Sequence, residues 1–253
     1  MKYKIGLALS GGGIRGIAHA GALQAMEELN IHPEIISGTS AGAIVGALYA
    51  DGYTPIEIAE MFKNIGFRDM TRLDVPDGGF FSITPFGRFL RKKLRATTFG
   101  ELKIPLRIVA TNFDDGIPET FDSGNLLKPI IASASIPVLF VPQKIDNKHY
   151  VDGGILKNFP VSTIRNDCET VIGVNAGPML ASKYKVKNIM DVAHRTYHFI
   201  YKSNMLADKQ ICDIIIEPQN IYDYDFFETD KIPEIFDSGY KTAINVLKSC
   251  GFN

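Results

Sequence analysis

Apolar residues fall along this chain in two rhythms. Short, largely apolar runs at 4–9, 34–37, 106–111, 171–175 and 214–217 have the length and character of strands buried on both faces. Between them, apolar positions repeat at helical spacing. Ala20, Leu23, Met26 and Leu29 mark one face of a helix over 17–29, ended by Asn30 and Pro33. Further helices are predicted over 41–49, stopped by Gly52, and over 54–63, where proline follows Thr54 at the first position. Another starts at Thr84-Pro85, and three more cover 125–134, 189–209 and 233–247. Asp114-Asp115-Gly116 predicts a hairpin turn between 106–111 and a strand at 119–121. Alternating strands and helices predict an α/β fold, its parallel or mixed sheet covered on both faces. With no internal repeat and no low-complexity linker, the chain reads as one domain over 1–253.

Residues 64–100 change character. Phe67, Phe80, Phe81, Phe86, Phe89 and Phe99 mix there with Arg68, Arg72, Arg88, Arg91, Lys92, Lys93 and Arg95. The segment is a candidate cap. Its basic helix either seats on anionic lipid, or turns its phenylalanines to the core and its cations to water.

A formal net charge of −1 supplies no field to hold a nucleic-acid backbone, which sets that class of partner aside. Cys168, Cys212 and Cys250 are widely spaced without a CxxC, as expected of reduced thiols in a cytoplasmic protein; Cys168 and Cys212 read as small core residues. The apolar runs fall far short of the roughly 18 residues a membrane span needs. The apolar stretch after Met1 is too short for a signal peptide and reads as the first strand. The expected location is the cytoplasm, with any membrane contact peripheral, at the inner face. Asp223, Asp225, Glu228 and Asp230 lack the central glycine and spacing of a calcium loop, so neither metal nor cofactor is expected.

Two turns carry the chemistry. Gly38-Thr39-Ser40-Ala41-Gly42 joins the second strand to a helix and matches G-x-S-x-G, which sets a serine hydroxyl on a tight bend. The competing reading makes Ser40 a plain helix N-cap. One strand earlier, Gly11-Gly12-Gly13-Ile14-Arg15-Gly16 can aim backbone N–H groups at a negative oxygen. The same glycines satisfy the dinucleotide fingerprint, but that needs an acid at the end of the second strand. Gly38-Thr39-Ser40 stands there instead, and Glu34 is at the wrong end. A Walker loop fails because no Gly-Lys-Ser/Thr follows.

A serine nucleophile needs a base. His149, His194 and His198 are candidates, the last two at i, i+4 on one helix, where they also suit packing or half a metal site. His19 is placed to support the glycine turn. Asp152-Gly153-Gly154 offers an acid instead, and Asp77-Gly78-Gly79 is a second copy of a tripeptide that often marks only a turn.

With these residues assembled, the chain resembles the patatin-like phospholipase family. That family's order, G-G-G-x-R/K-G, then G-x-S-x-G, then D-G-G/A, is met by Gly11 to Gly16, Gly38 to Gly42 and Asp152 to Gly154. Ala132-Ser133-Ala134-Ser135-Ile136-Pro137, Phe140-Val141-Pro142, and Asn158 with Pro160 also look like the family, as does Ser238-Gly239-Tyr240 in the last helix. The resemblance implies a three-layer α/β/α sandwich with a mostly parallel central sheet. It implies a catalytic dyad of Ser40 and Asp152 without histidine, and it selects Asp152 over Asp77. The expected oxyanion hole is the backbone at Gly11, Gly12, Gly13 and Ala41. Arg15, Gly38, Gly42, Gly153 and Gly154 support it, Arg15 either bracing the glycine loop or meeting an anionic head group. The expected substrate is a fatty acyl ester of a phospholipid or lysophospholipid, cleaved through an acyl-enzyme. The alternatives are a catalytically silent regulatory or scaffold protein of the same fold and a nucleotide-binding module.

Overall fold

The computed structural model describes residues 2–63, 65–66, 69, 71–73, 80–177, 189–221, 224 and 229–252, with backbone alone for 189–191, 193 and 194. The strands are β1 (Tyr3–Leu9), β2 (Ile35–Thr39), β3 (Arg72–Leu73), β4 (Phe81–Ser82), β5 (Leu106–Asn112), β6 (Ile117–Phe121), β7 (Gln143–Ile145), β8 (Lys148–Asp152), β9 (Cys168–Val174) and β10 (Ile214–Ile216). The helices are α1 (Ile17–Glu28), α2 (Ala41–Ala50), α3 (Pro55–Phe62), α4 (Thr84–Lys93), α5 (Leu127–Ser133), α6 (Gly154–Lys157), α7 (Ile189–Asn204), α8 (Leu206–Gln210) and α9 (Ile232–Ser249).

Five strands in the order β10-β9-β1-β2-β5 run parallel, and β6, β7 and β8 add an antiparallel part beyond β5. Strand periodicity sorts the core into two layers. Leu7, Leu9, Ile36 and Ile172 join one core with α1, α2, α3 and α9. Ala8, Ile35 and Val171 face the other way, onto Phe159, Val161, Ile164 and Met205. The sheet is therefore buried on both sides, which is why its central strands read as continuous apolar runs.

The register places the functional turns. β6 follows one edge of β5 from Ile108 to Asn112, so β2 and β8 share the other edge. β2 covers it up to Thr39↔Val109, and β8 takes over at Asp152↔Ala110. The chain therefore leaves β2 at Ser40 beside the end of β8.

Two expectations shift. The predicted helix over 189–209 is interrupted at Met205, between α7 and α8. At the break, Asn204 donates to the Gly154 and Ile155 carbonyls and accepts from Asn158 N–H, tying α7 to α6. The hairpin β7–β8 was absent from the sequence pattern; its turn, Asp146-Asn147, has positive φ at both residues, the geometry of a type I′ turn.

α4 turns its apolar face to the core and its cations outward. Phe86 and Leu90 are buried and Arg88, Arg91 and Lys92 exposed. Phe62 of α3 packs against Phe86 and Phe89 at 6.4 and 5.9 Å between ring centres. The phenylalanines thus fix the helix to the body of the protein. Phe67, Arg68 and Asp77-Gly78-Gly79 lie outside the described residues.

Candidate active site

Ser40 sits at φ 53°, ψ −119°, in a region non-glycine residues rarely enter. It stands where an N-cap would, but its side chain makes no capping bond, so the hydroxyl is left for other work. Its N–H donates to Ser133 Oγ (2.7 Å), and that hydroxyl donates to Val109 C=O (2.6 Å). Two residues on, Ser135 C=O accepts from Asp152 N–H (2.8 Å). One short segment at the end of α5, Ser133 to Ser135, therefore holds both Ser40 and Asp152.

The bend is possible because glycine stands at 42. A Cβ there would lie 2.2 Å from Leu9 O, and backbone cannot give way as a side chain can. We expect Gly42→Ala to lower stability by about 1–3 kcal/mol or more, read as a drop in thermal midpoint and as lost activity. An unchanged midpoint would contradict this packing.

Asp152 ends β8 fully buried. Its Oδ1 accepts from Gly154 N–H at 2.8 Å, while Oδ2 has no well-aligned partner among the described residues. Burial pushes its pKa from 3.8 up to about 7; the Ser40 hydroxyl, Gly154 N–H and Tyr197 hydroxyl pull the other way. The Ser40 and Tyr197 hydroxyls thus face the carboxylate, close enough to favour its charge.

Tyr197 was not singled out from the sequence. It is buried on α7, its ring tilted by 60° against that of Tyr201 at 4.2 Å between centres, and its hydroxyl has no well-aligned partner among the described residues. Tyr201 in turn covers Gly154, where a Cβ would lie 2.3 Å from its ring. Aromatic spacing at i, i+4 was the available signal, and it reads equally well as core. Removing the Tyr197 hydroxyl takes away a group that lowers the Asp152 pKa. In Tyr197→Phe we expect the acid limb of the pH–rate profile to move to higher pH. Activity at pH 6 then falls about two- to tenfold, as a rise of up to about one unit in the Asp152 pKa would give, and recovers above pH 8. A uniform loss at all pH values would assign Tyr197 to packing alone.

The glycine loop lies alongside. Gly13 has φ 61°, and among the described residues the N–H groups of Gly12 and Gly13 have no hydrogen-bond partner. Ala41 N–H begins α2 and has no partner within the helix. Gly11 departs from expectation: its N–H donates to Asn158 C=O (3.1 Å), so it anchors the loop and is not a free donor. Arg15 is buried and its Nε donates to Gly12 C=O (3.2 Å), the bracing role. His19 also supports the loop, donating from Nε2 to Ser10 C=O (2.8 Å); burial lowers its pKa to about 4 and keeps it neutral.

His149 is exposed and pairs with Asp114 (3.1 Å), and His198 packs its ring edge-on to Tyr201. The side chain of His194 lies outside the described ones. Among the described residues no three His, Cys, Asp or Glu side chains gather as a metal would need; Asp223, Asp225 and Glu228 lie outside them. Cys168, Cys212 and Cys250 are free thiols, Cys168 buried and Cys212 half-buried in the core.

An apolar cavity of about 120 Å³ opens beside Ser40 and Gly13, walled by Ile44, Val45, Phe62, Ile83, Phe86 and Phe140. Ser40, Gly13 and Ala41 thus line a space suited to hydrocarbon, while the Asp152 carboxylate is buried next to the Ser40 hydroxyl and does not itself line it.

Residues 7–164 match the family of patatin-like phospholipases. The chain belongs to the patatin-like phospholipase family. The lysophospholipase NTE1 of Saccharomyces cerevisiae is 34% identical over 180 residues, covering 68% of this chain but 11% of that protein. Its counterpart in Scheffersomyces stipitis is 27% identical over 280 residues, 98% of this chain and 18% of the relative. This patatin-like chain thus spans a small fraction of the length of those relatives. Among solved structures, VipD from Legionella pneumophila shares the fold with a TM-score of 0.57 at 16% identity, covering 98% of this chain and 67% of VipD. The type III effector ExoU shares it with a TM-score of 0.52 at 16% identity, covering 97% and 53%. With helices on both faces of a mixed sheet, the patatin-like fold here is the three-layer sandwich described above.

Proposed function

We propose that this chain is a serine acyl hydrolase that cleaves fatty acyl esters of phospholipids or lysophospholipids, with Ser40 as nucleophile and Asp152 as base. The observation that carries the reading is the buried Asp152 carboxylate facing the hydroxyl of Ser40, which itself lines an apolar cavity. The yeast relatives named lysophospholipases support the substrate class.

Asp152 takes the Ser40 proton as Oγ attacks the ester carbonyl carbon. The oxyanion is held by the N–H groups of Gly12, Gly13 and Ala41, each donor worth about 3 kcal/mol of barrier. The positive end of α2 adds to them. The tetrahedral adduct collapses, the C–O bond to the alcohol breaks, and the alcohol leaves with the proton from Asp152. Water then gives a proton to Asp152 as its oxygen attacks the acyl-serine carbonyl. The second tetrahedral adduct collapses, the bond from that carbon to Ser40 Oγ breaks, Oγ takes the proton back from Asp152, and the fatty acid leaves. A carboxylate titrating at about 7 is a far better base than an exposed one near 3.9.

The acyl chain lies in the cavity, of which Ile83 and Phe86 in segment 64–100 form one wall. Among the described residues no helix is long and apolar enough to cross a membrane, and we place membrane contact at the surface. Hydrolysis of p-nitrophenyl esters of rising acyl length and of lysophosphatidylcholine tests this. Turnover rises with chain length to an optimum, and Ile44→Phe, which narrows the cavity, moves that optimum to shorter chains. An optimum unmoved by Ile44→Phe would contradict the acyl assignment.

A further inference from the structure

A second cavity, of about 260 Å³, lies between α4, α5 and β7. Arg88 and Arg91 of α4, Lys128 of α5 and Lys144 of β7 line it, and among the described residues no carboxylate does. Among the described residues none of the four makes an ion pair. Four like charges around one concavity repel one another unless an anion joins them. Its floor is apolar, formed by Leu127, Ile131 and Ile145.

The groove borders the acyl cavity. Ile83, just before α4, and Phe86 within it line that cavity, while Gly87, Arg88 and Arg91 of α4 line the groove. Just before α4, Phe80 is 44% exposed and its N–H donates to Val138 C=O (3.2 Å). Val138 is 52% exposed and sits at φ 72°, a conformation a β-branched residue enters only under strain. Two apolar side chains are thus held out to solvent on the two segments, joined by that bond, that lead into α4 and β7 at the cationic groove.

We propose that this groove is a second, non-catalytic lipid site, taking the phosphate of an anionic glycerophospholipid at a membrane surface while Phe80 and Val138 rest among the acyl chains. A cationic rim over an apolar floor suits an amphiphile better than a free ion. The chain as a whole carries a net charge of −1, so attraction to an anionic surface has to come from a local patch of this kind. The inference rests on the lipid hydrolase reading for its purpose, but binding and hydrolysis are measured separately.

The test is co-sedimentation of the whole chain with vesicles of phosphatidylcholine, or of phosphatidylcholine and phosphatidylglycerol in equal parts. The expected result is about tenfold or more tighter binding to the mixed vesicles, lost in R88Q/R91Q/K128Q/K144Q. It is kept in a control, K2Q/K4Q/K202Q/K248Q, that removes the same charge elsewhere. Hydrolysis of a short soluble ester is unchanged in the groove variant. Equal loss in the control, or no preference for the anionic vesicles, would overturn the proposal. Binding of glycerol 3-phosphate from solution as tightly as the vesicles would overturn the membrane assignment. Wild-type chain that hydrolyses no ester yet shows the full binding pattern would sink the hydrolase reading and leave the groove supported.

Discussion

Ser40→Ala abolishes ester hydrolysis, by a factor of about 10⁴ or more, while the fold survives. The substitution removes one oxygen. The Ser40 N–H still reaches Ser133 Oγ, and alanine at φ 53° bears the strain serine already bears. The oxyanion donors and the apolar cavity also remain, so substrate still binds and the small residual rate comes from them. The check is kcat/KM on a soluble p-nitrophenyl ester alongside thermal unfolding. Activity within tenfold of wild type would remove Ser40 from the chemistry. Lost activity with a collapsed midpoint would trace to folding instead.

Asp152→Asn is nearly as damaging to turnover and has the opposite effect on stability. Only the ionised carboxylate can take the serine proton, so wild-type kcat/KM rises with pH through about 7 and then levels. The asparagine variant shows no such limb. The stability effect follows from the same raised pKa. Between the unfolded value of 3.8 and the folded value of about 7, the folded chain keeps a proton that the unfolded chain has lost. Stability therefore falls as pH rises across that window, by up to about 4 kcal/mol at pH 7 and above, since each pKa unit is worth about 1.4 kcal/mol. Asparagine carries no charge to bury. Its thermal midpoint exceeds the wild-type value at pH 8, and the gap closes towards pH 4. A variant less stable than wild type at pH 8 would mean that the carboxylate is not held at a cost in the fold.

Much of this was legible in the chain because the frame is built from simple periodicities. β1, α1, β2 and α2 fall within a residue or two of their predicted bounds, since a doubly covered strand must be apolar throughout. The turn at Ser40 was legible from Gly38 and Gly42, whose close neighbours are backbone atoms only a few residues or one strand away. What escaped depends on distant partners. β8 reaches Asp152 as a strand paired to β5, set by Ala110↔Asp152 and by an Asp146-Asn147 turn that is quiet in composition. Tyr197 and Asn204 meet the site from α7, far along the chain, and their residue types say nothing of it locally; Ser133 stood out only through the family resemblance, without its role of holding the Ser40 amide. Gly11 was over-read for a related reason: its amide is engaged by Asn158, more than a hundred residues later.

The most direct measurement is covalent trapping with a long-chain fluorophosphonate ester, followed by intact-mass analysis and peptide mapping. A hydroxyl activated by a buried carboxylate displaces fluoride and forms a stable phosphonyl ester. We predict one adduct per chain, at Ser40, absent in Ser40→Ala and formed faster above pH 7 than below it. A protein that stays unmodified, or an adduct mapped to another residue such as Ser10 or Ser133, would contradict Ser40 as the nucleophile.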